Sequence, residues 1–169
     1  MRYEQILLAE ATPHFETIAE IVAAVRETKA LPPIDALSVL QSFAKRGDTA
    51  ALAWEGDRLV GCVCLGACHH FISSPDWVPV KVRLVRDGID LAKVGCTHFV
   101  YLHPDFWGQG MTLALTDQAR RSNPMFTHTL LHGFATKEFE DWAAGLDGVI
   151  QIGTRQGQSV FVRGIAGAT

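Results

Sequence analysis

Apolar positions in this chain recur with two periods, and the alternation between them predicts the order of elements. Ile6-Leu7-Leu8 opens a first strand after the polar run Arg2-Tyr3-Glu4-Gln5. Thr12 followed by Pro13 starts a helix, and Phe15, Ile18, Val22 and Val25 repeat at helical spacing along it. Pro32-Pro33 breaks the chain. A second helix follows with Leu37, Leu40, Phe43 and Ala44 on one face, and Gly47 stops it. Residues 49–54 and 58–68 flank Glu55-Gly56-Asp57 as an antiparallel hairpin. Residues 80–85 alternate Val-Lys-Val-Arg-Leu-Val and read as a strand, with Asp87-Gly88 as a turn. Residues 97–102 read as a buried strand and 110–122 as a helix ending in Arg120-Arg121, ahead of Asn123-Pro124. A strand over 129–135, a helix capped by Thr136, and a hairpin of 149–152 with 159–162 complete the chain.

Leaving aside the insertion at 71–95, the predicted order is β-α-α-β-β-β-α-β-α-β-β. It describes an α/β (α+β) fold with a mixed, mostly antiparallel central sheet flanked by helices. At 169 residues, one domain over 1–169 is expected. Residues 71–95 form a long insertion between two strands, a position often used for a lid over a substrate.

Composition removes several functions. The chain is 48% hydrophobic and 20% charged with a formal net charge of −3, ordinary for a globular domain. There is no basic field to grip a nucleic-acid backbone, so no nucleic-acid partner is expected. No apolar run approaches the roughly 20 residues of a membrane helix, so no membrane partner is expected either. Met1-Arg2-Tyr3-Glu4 has no signal-peptide core, and a cytoplasmic location is the expectation. The four cysteines lie at 62, 64, 68 and 96. The first three share one parity on a strand. Their spacing fits no common zinc pattern even with His69 and His70 beside them, so no metal is expected.

The chemistry concentrates in Phe99-Val100-Tyr101-Leu102-His103-Pro104-Asp105-Phe106-Trp107-Gly108-Gln109-Gly110-Met111-Thr112-Leu113-Ala114-Leu115. A strand, a turn with two glycines and a helix start aim several backbone N–H groups and a helix N-terminus at one spot, which suits a phosphate. A dinucleotide fingerprint would need a third glycine where Leu113 stands, and a P-loop would need Gly-Lys-Ser/Thr. The segment resembles the acyl-CoA-binding segment of the GNAT (Gcn5-related) N-acetyltransferases, with the pattern Arg/Gln-x-x-Gly-x-Gly/Ala after a strand. The order of elements resembles that family over essentially the whole chain. The chain departs from the pattern at Trp107, where the family has Arg or Gln, and at Thr112, where it has Gly or Ala.

The resemblance implies an N-acetyltransferase that takes the acetyl group of acetyl-CoA, its co-substrate, and gives it to a primary amine of a small molecule or protein. It implies main-chain contacts from Val100, Tyr101 and Leu102 to the pantetheine arm. The N–H groups of Trp107, Gly108, Gln109, Gly110, Met111 and Thr112 would meet the pyrophosphate. A base must take a proton from the attacking amine, and an ordinary histidine pKa near 6.5 suits it. His98 lies on the same strand parity as Val100 and Leu102 and is the candidate; His132 is a second. His69, His70 and Trp77 are candidate acceptor-binding residues, and Lys81, Arg83 and Arg86 would favour an anionic group. The tyrosine that many family members carry in the fourth helix is absent from Lys137–Ala144. A non-catalytic module of the same fold that binds acyl-CoA or a protein is the alternative, as is an interaction domain. The edge strand of the last hairpin would suit a homodimer.

Overall fold

The computed structural model describes residues 1–165. Seven strands form one sheet: β1 (Arg2–Leu7), β2 (Thr49–Glu55), β3 (Arg58–Ala67), β4 (Val94–Leu102), β5 (His128–Leu131), β6 (Val149–Arg155) and β7 (Gln158–Gly164). Their order is β1-β2-β3-β4-β5-β7-β6. The β1–β2, β2–β3, β5–β7 and β6–β7 pairs are antiparallel, and β4–β5 is parallel. The helices are α1 (Phe15–Thr28), α2 (Ala36–Lys45), α3 (Val78–Arg86), α4 (Met111–Arg120) and α5 (Lys137–Ala144). No helix among the described residues is long and apolar enough to cross a membrane.

Two compact units divide the chain: residues 1–66 with 99–123, and residues 67–98 with the chain from Pro124 on. In the first unit, Ile18, Val22 and Leu40 of α1 and α2 pack with Leu52, Cys62 and Cys64 of β2 and β3. Val60, Val63, Leu102, Met111 and Leu115 form a separate core with α4. Gly61 makes that second core possible. A Cβ there would stand 3.0 Å from the Leu102 and Leu115 side chains and 3.1 Å from the Tyr101 carbonyl oxygen. A side-chain cap fixes the start of α2, where the Asp35 carboxylate accepts from the Ser38 N–H at 3.0 Å. In the second unit, Trp77, Val80 and Leu84 pack with Val94, Cys96, Leu130, Ile152 and Val160. The Thr136 hydroxyl accepts from Phe139 N–H and caps α5, as its position predicts.

Several elements differ from the pattern reading. Residues 80–85 are helical, within α3, not a strand. A short Val/Leu run satisfies both periods, and Pro79 in the first helical turn with Val80 and Leu84 buried at i, i+4 selects the helix. The order therefore gains a helix between β3 and β4. The strand β1 begins at Arg2 and ends before Leu8, because Leu8–His14 is a 3-10 segment leading into α1. The α4 helix starts at Met111 and ends at Arg120, and β5 is shorter than its apolar run. Cys68 lies past the end of β3 in a 3-10 turn, so the strand parity shared by Cys62 and Cys64 does not extend to it. All four cysteines are buried, and no disulfide joins them. Among the described residues no group of three or more His, Cys, Asp or Glu side chains could hold a metal ion.

Candidate acyl-CoA site

The first unit carries the strand–turn–helix segment intact. The His103 N–H donates to the Val60 carbonyl at 2.8 Å and ties the end of β4 to β3. Pro104–Phe106 forms a 3-10 turn in which the Phe106 and Trp107 N–H groups return to the carbonyls of His103 and Pro104. Trp107 then folds back, and its indole N–H donates to the Leu102 carbonyl at 2.8 Å. The turn is thus fastened to the strand by a side chain where the family pattern has a polar one. Gly108 and Gly110 follow with φ of 75° and 72°, left-handed values that glycine reaches at little cost. A Cβ built at either would meet nothing within 4 Å, so their role is conformational and the space over them is open.

Gly110 is the N-cap of α4, and no side chain caps that end. The first N–H groups of a helix have no partner within it, and they carry the positive end of its dipole. Gly108, Gln109 and Gly110 are exposed, Met111 is buried into the α4 core and Thr112 is half-buried. The arrangement can receive an anion through main-chain N–H groups alone. The open left-handed turn and the uncapped helix end fit the pyrophosphate of a coenzyme A.

Sequence reasoning missed two cations that α1 brings to this segment. The Lys29 ammonium lies over the Trp107 ring, 4.9 Å from its centroid. The Arg26 guanidinium donates to the Tyr101 hydroxyl at 3.1 Å and to the Pro32 carbonyl at 2.5 Å. Their i, i+3 spacing places them on one side of the last turn of α1, but nothing local in the sequence links them to residues some seventy positions later.

The parallel β4–β5 register covers Val94↔His128, Gly95↔Thr129 and Cys96↔Leu130, so residues 97–102 run beyond it. Phe99 has a φ of 52°, a left-handed value that is costly for an aromatic residue. It interrupts the extended backbone between His98 and Val100, and alternation resumes from Phe99 on. Phe99 and Tyr101 pack with the α1–α2 core, with ring centroids 4.8 Å apart, while Val100 and Leu102 pack with the α4 core. The parity that would carry His98 to the side of Val100 and Leu102 therefore does not hold through Phe99.

The second unit holds the histidine candidates. His98 stacks on Phe71 at 4.6 Å. His69 and His70 sit side by side in the 3-10 turn, exposed, with ring centroids 4.0 Å apart. Trp77 is fully buried, with His132 edge-on at 4.7 Å and the Arg155 guanidinium 4.8 Å over its ring. Lys81, Arg83 and Arg86 lie on α3, where Arg83 pairs with Asp87 at 2.6 Å. The His132 Nε2 lies 3.2 Å from the Cys96 Sγ, a pairing no spacing rule would have found.

Burial, then the charges of Arg155 and His98, push the His132 pKa down to about 4. The unfolded chain, with a histidine near 6.5, then binds the extra proton first as pH falls. The stability contributed by neutral His132 is complete above about pH 6.5 and is lost progressively down to about pH 4, by about 3 kcal/mol at most. Urea midpoints measured across that range should fall with pH, and His132→Gln should flatten the slope. An unchanged slope in the variant would contradict this assignment.

Comparison with known proteins agrees with the fold. A GNAT-family acetyltransferase from Staphylococcus aureus Mu50 superposes with a TM-score of 0.66 at 9% identity, covering 97% of this chain and 99% of that one. The structure of yncA from Salmonella typhimurium with its cofactor acetyl-CoA gives 0.58 at 17% identity, over 98% and 95%. The PaiA N-acetyltransferase from Thermoplasma acidophilum in complex with coenzyme A gives 0.57 at 13%, over 97% and 99%. No protein-family model matches the chain, and no curated protein matches it in sequence. The mixed, mostly antiparallel seven-stranded sheet with flanking helices is that of GNAT acetyltransferase structures.

Proposed function

We propose that this chain is an acyl-CoA-dependent N-acyltransferase that moves an acetyl group from acetyl-CoA to a primary amine of a small molecule or a protein. The observation that carries the proposal is the exposed, left-handed Gly108–Gly110 turn leading into the uncapped N-terminus of α4. Support comes from the fold it shares with yncA and PaiA, whose structures contain acetyl-CoA and coenzyme A.

In this reading the N–H groups of Gly108–Thr112 and the α4 dipole bind the pyrophosphate, while the Trp107 N–H, expected to join them, is held by the Pro104 carbonyl. Lys29 adds the positive charge that the Trp107 side chain lacks. The main chain of Val100, Tyr101 and Leu102 holds the pantetheine arm like an added strand, and an N–H near Leu102 steadies the developing oxyanion. Acetyl-CoA supplies an activated acyl carbon: the amine nitrogen bonds to it, the carbon–sulfur bond breaks, and coenzyme A leaves as a thiol. His98 is kept as the proposed base for the proton of the attacking amine because an imidazole suits that task, and not for its parity with Val100, which the left-handed φ at Phe99 interrupts. His69 and His70, exposed in their 3-10 turn, help hold the acceptor, whereas Trp77 is fully buried and does not touch it.

Amine-dependent release of coenzyme A thiol tests the proposal. Wild-type protein is expected to release thiol only when a primary amine is present, and His98→Ala to lower kcat while leaving acetyl-CoA affinity unchanged. Coenzyme binding with no transfer to any amine in a broad panel would overturn catalysis in favour of a binding module.

A further inference from the structure

The α3 helix of the second unit carries an apolar face that its own fold leaves uncovered. Val80 and Leu84 anchor the helix in the core. On its other side Val78, Val82 and Val85 keep 51%, 61% and 61% of their surface in contact with solvent. At about 100° per residue these three fall within an arc of about 60°. Valine is a middling helix former, so helix propensity does not account for three of them at exposed positions. Packing within the unit does not account for them either, since the core takes Val80 and Leu84.

The spacing i, i+4, i+7 is the d-a-d seam of a heptad repeat. In that register Lys81 is a g position and Arg86 an e position, one on each flank of the valine stripe. Arg83 lies further round the helix. No acidic residue occurs within α3, and Asp87, just past its end, lies 2.6 Å from Arg83 and 3.7 Å from Arg86. Three cations therefore face one carboxylate, on a chain whose formal net charge is −3. The e and g side chains of paired helices set which partner is accepted. Two copies of α3 laid together, parallel or antiparallel, would oppose cation to cation, so this face repels itself. A helix with carboxylates at those positions is attracted instead. The narrow valine stripe, without Trp, Phe or Leu, is also unlike the broad apolar face of a helix that lies in a membrane interface.

We propose that α3 docks an acidic amphipathic helix of a partner protein, with its apolar seam on Val78, Val82 and Val85 and its carboxylates against Lys81 and Arg86. The nine residues of α3 offer about two and a half turns, so the contact is small and transient. It does not rest on the acetyl-transfer reading.

The test is fluorescence anisotropy of labelled three-heptad peptides titrated with the whole chain. The acidic probe carries leucine at a and d and glutamate at e and g; the basic probe carries lysine at e and g instead. The acidic probe is expected to bind saturably, at least about tenfold more tightly than the basic one. Its affinity should fall as salt rises from about 0.1 M to about 1 M, where the screening length drops from about 10 Å to about 3 Å. Val82→Glu should abolish binding and, because Val82 is mostly exposed, leave the melting temperature close to that of the wild type. Lys81→Glu with Arg86→Glu should reverse the preference, releasing the acidic probe and taking up the basic one, a gain that an unfolded variant cannot show. Equal binding of the two probes, binding of neither, or acidic-probe binding that survives both variants overturns the assignment. Two outcomes would replace it. Cosedimentation with phosphatidylglycerol vesicles, lost in Val82→Glu while neither peptide binds, would make the face a membrane contact. Concentration-dependent dimerisation, lost in the same variant while neither peptide binds, would make it a contact between copies of this chain.

Discussion

Gly110→Glu is expected to abolish the thermal stabilisation that acetyl-CoA gives the wild-type protein. At 100 times its dissociation constant a ligand that binds only the folded state adds about 2.7 kcal/mol. That increment should disappear in the variant for two reasons. The φ of 72° at Gly110 is a left-handed value that an L side chain reaches at a cost of about 1–2 kcal/mol. The carboxylate would also stand at the helix end proposed to receive the pyrophosphate. No atom lies within 4 Å of a Cβ built there, so the variant should fold, with a moderately lowered melting temperature and no response to acetyl-CoA. A full coenzyme shift in the variant would remove the turn from the binding site.

The turn was legible because its requirement is local. Two glycines spaced by one residue between a strand and a helix announce φ values that other residues avoid, and both glycines adopt them. Thr136 was legible for the same reason: its hydroxyl caps α5 within three residues. The elements that escaped were decided at a distance or by two competing periods. Val80–Val85 fits a strand as well as a helix until Pro79 and burial against β6 and β7 are known. The left-handed φ at Phe99 has no sequence mark, since an aromatic residue is a poor choice for it and only the surrounding packing imposes it. Lys29 over Trp107 and Cys96 beside His132 are contacts between remote segments, and no spacing rule reaches them.

Trp77→Ala is the second large effect, and it bears on the insertion at 71–95. Trp77 has no exposed surface and packs with Val80, Leu84, Val94, Cys96 and Leu130, with His132 against its edge and Arg155 over its face. Truncating a buried aromatic residue removes its transfer energy and leaves a cavity, about 3–5 kcal/mol together. For a domain of ordinary stability that is a large fraction of the total. Its buried indole N–H has no hydrogen-bond partner, so Trp77→Phe should recover most of the loss. Denaturant unfolding of the three proteins checks this. A loss below about 1 kcal/mol in Trp77→Ala would mean that the insertion opens readily and that Trp77 acts as a surface residue.

The account turns on where acetyl-CoA binds, and backbone amide chemical shifts during an acetyl-CoA titration test that most directly. Saturable shifts should be largest at Gly108, Gln109, Gly110, Met111 and Thr112, with smaller ones along Val100–Leu102, and should vanish in Gly110→Glu. Saturable shifts elsewhere with the turn unmoved, or no saturation at all, would contradict it.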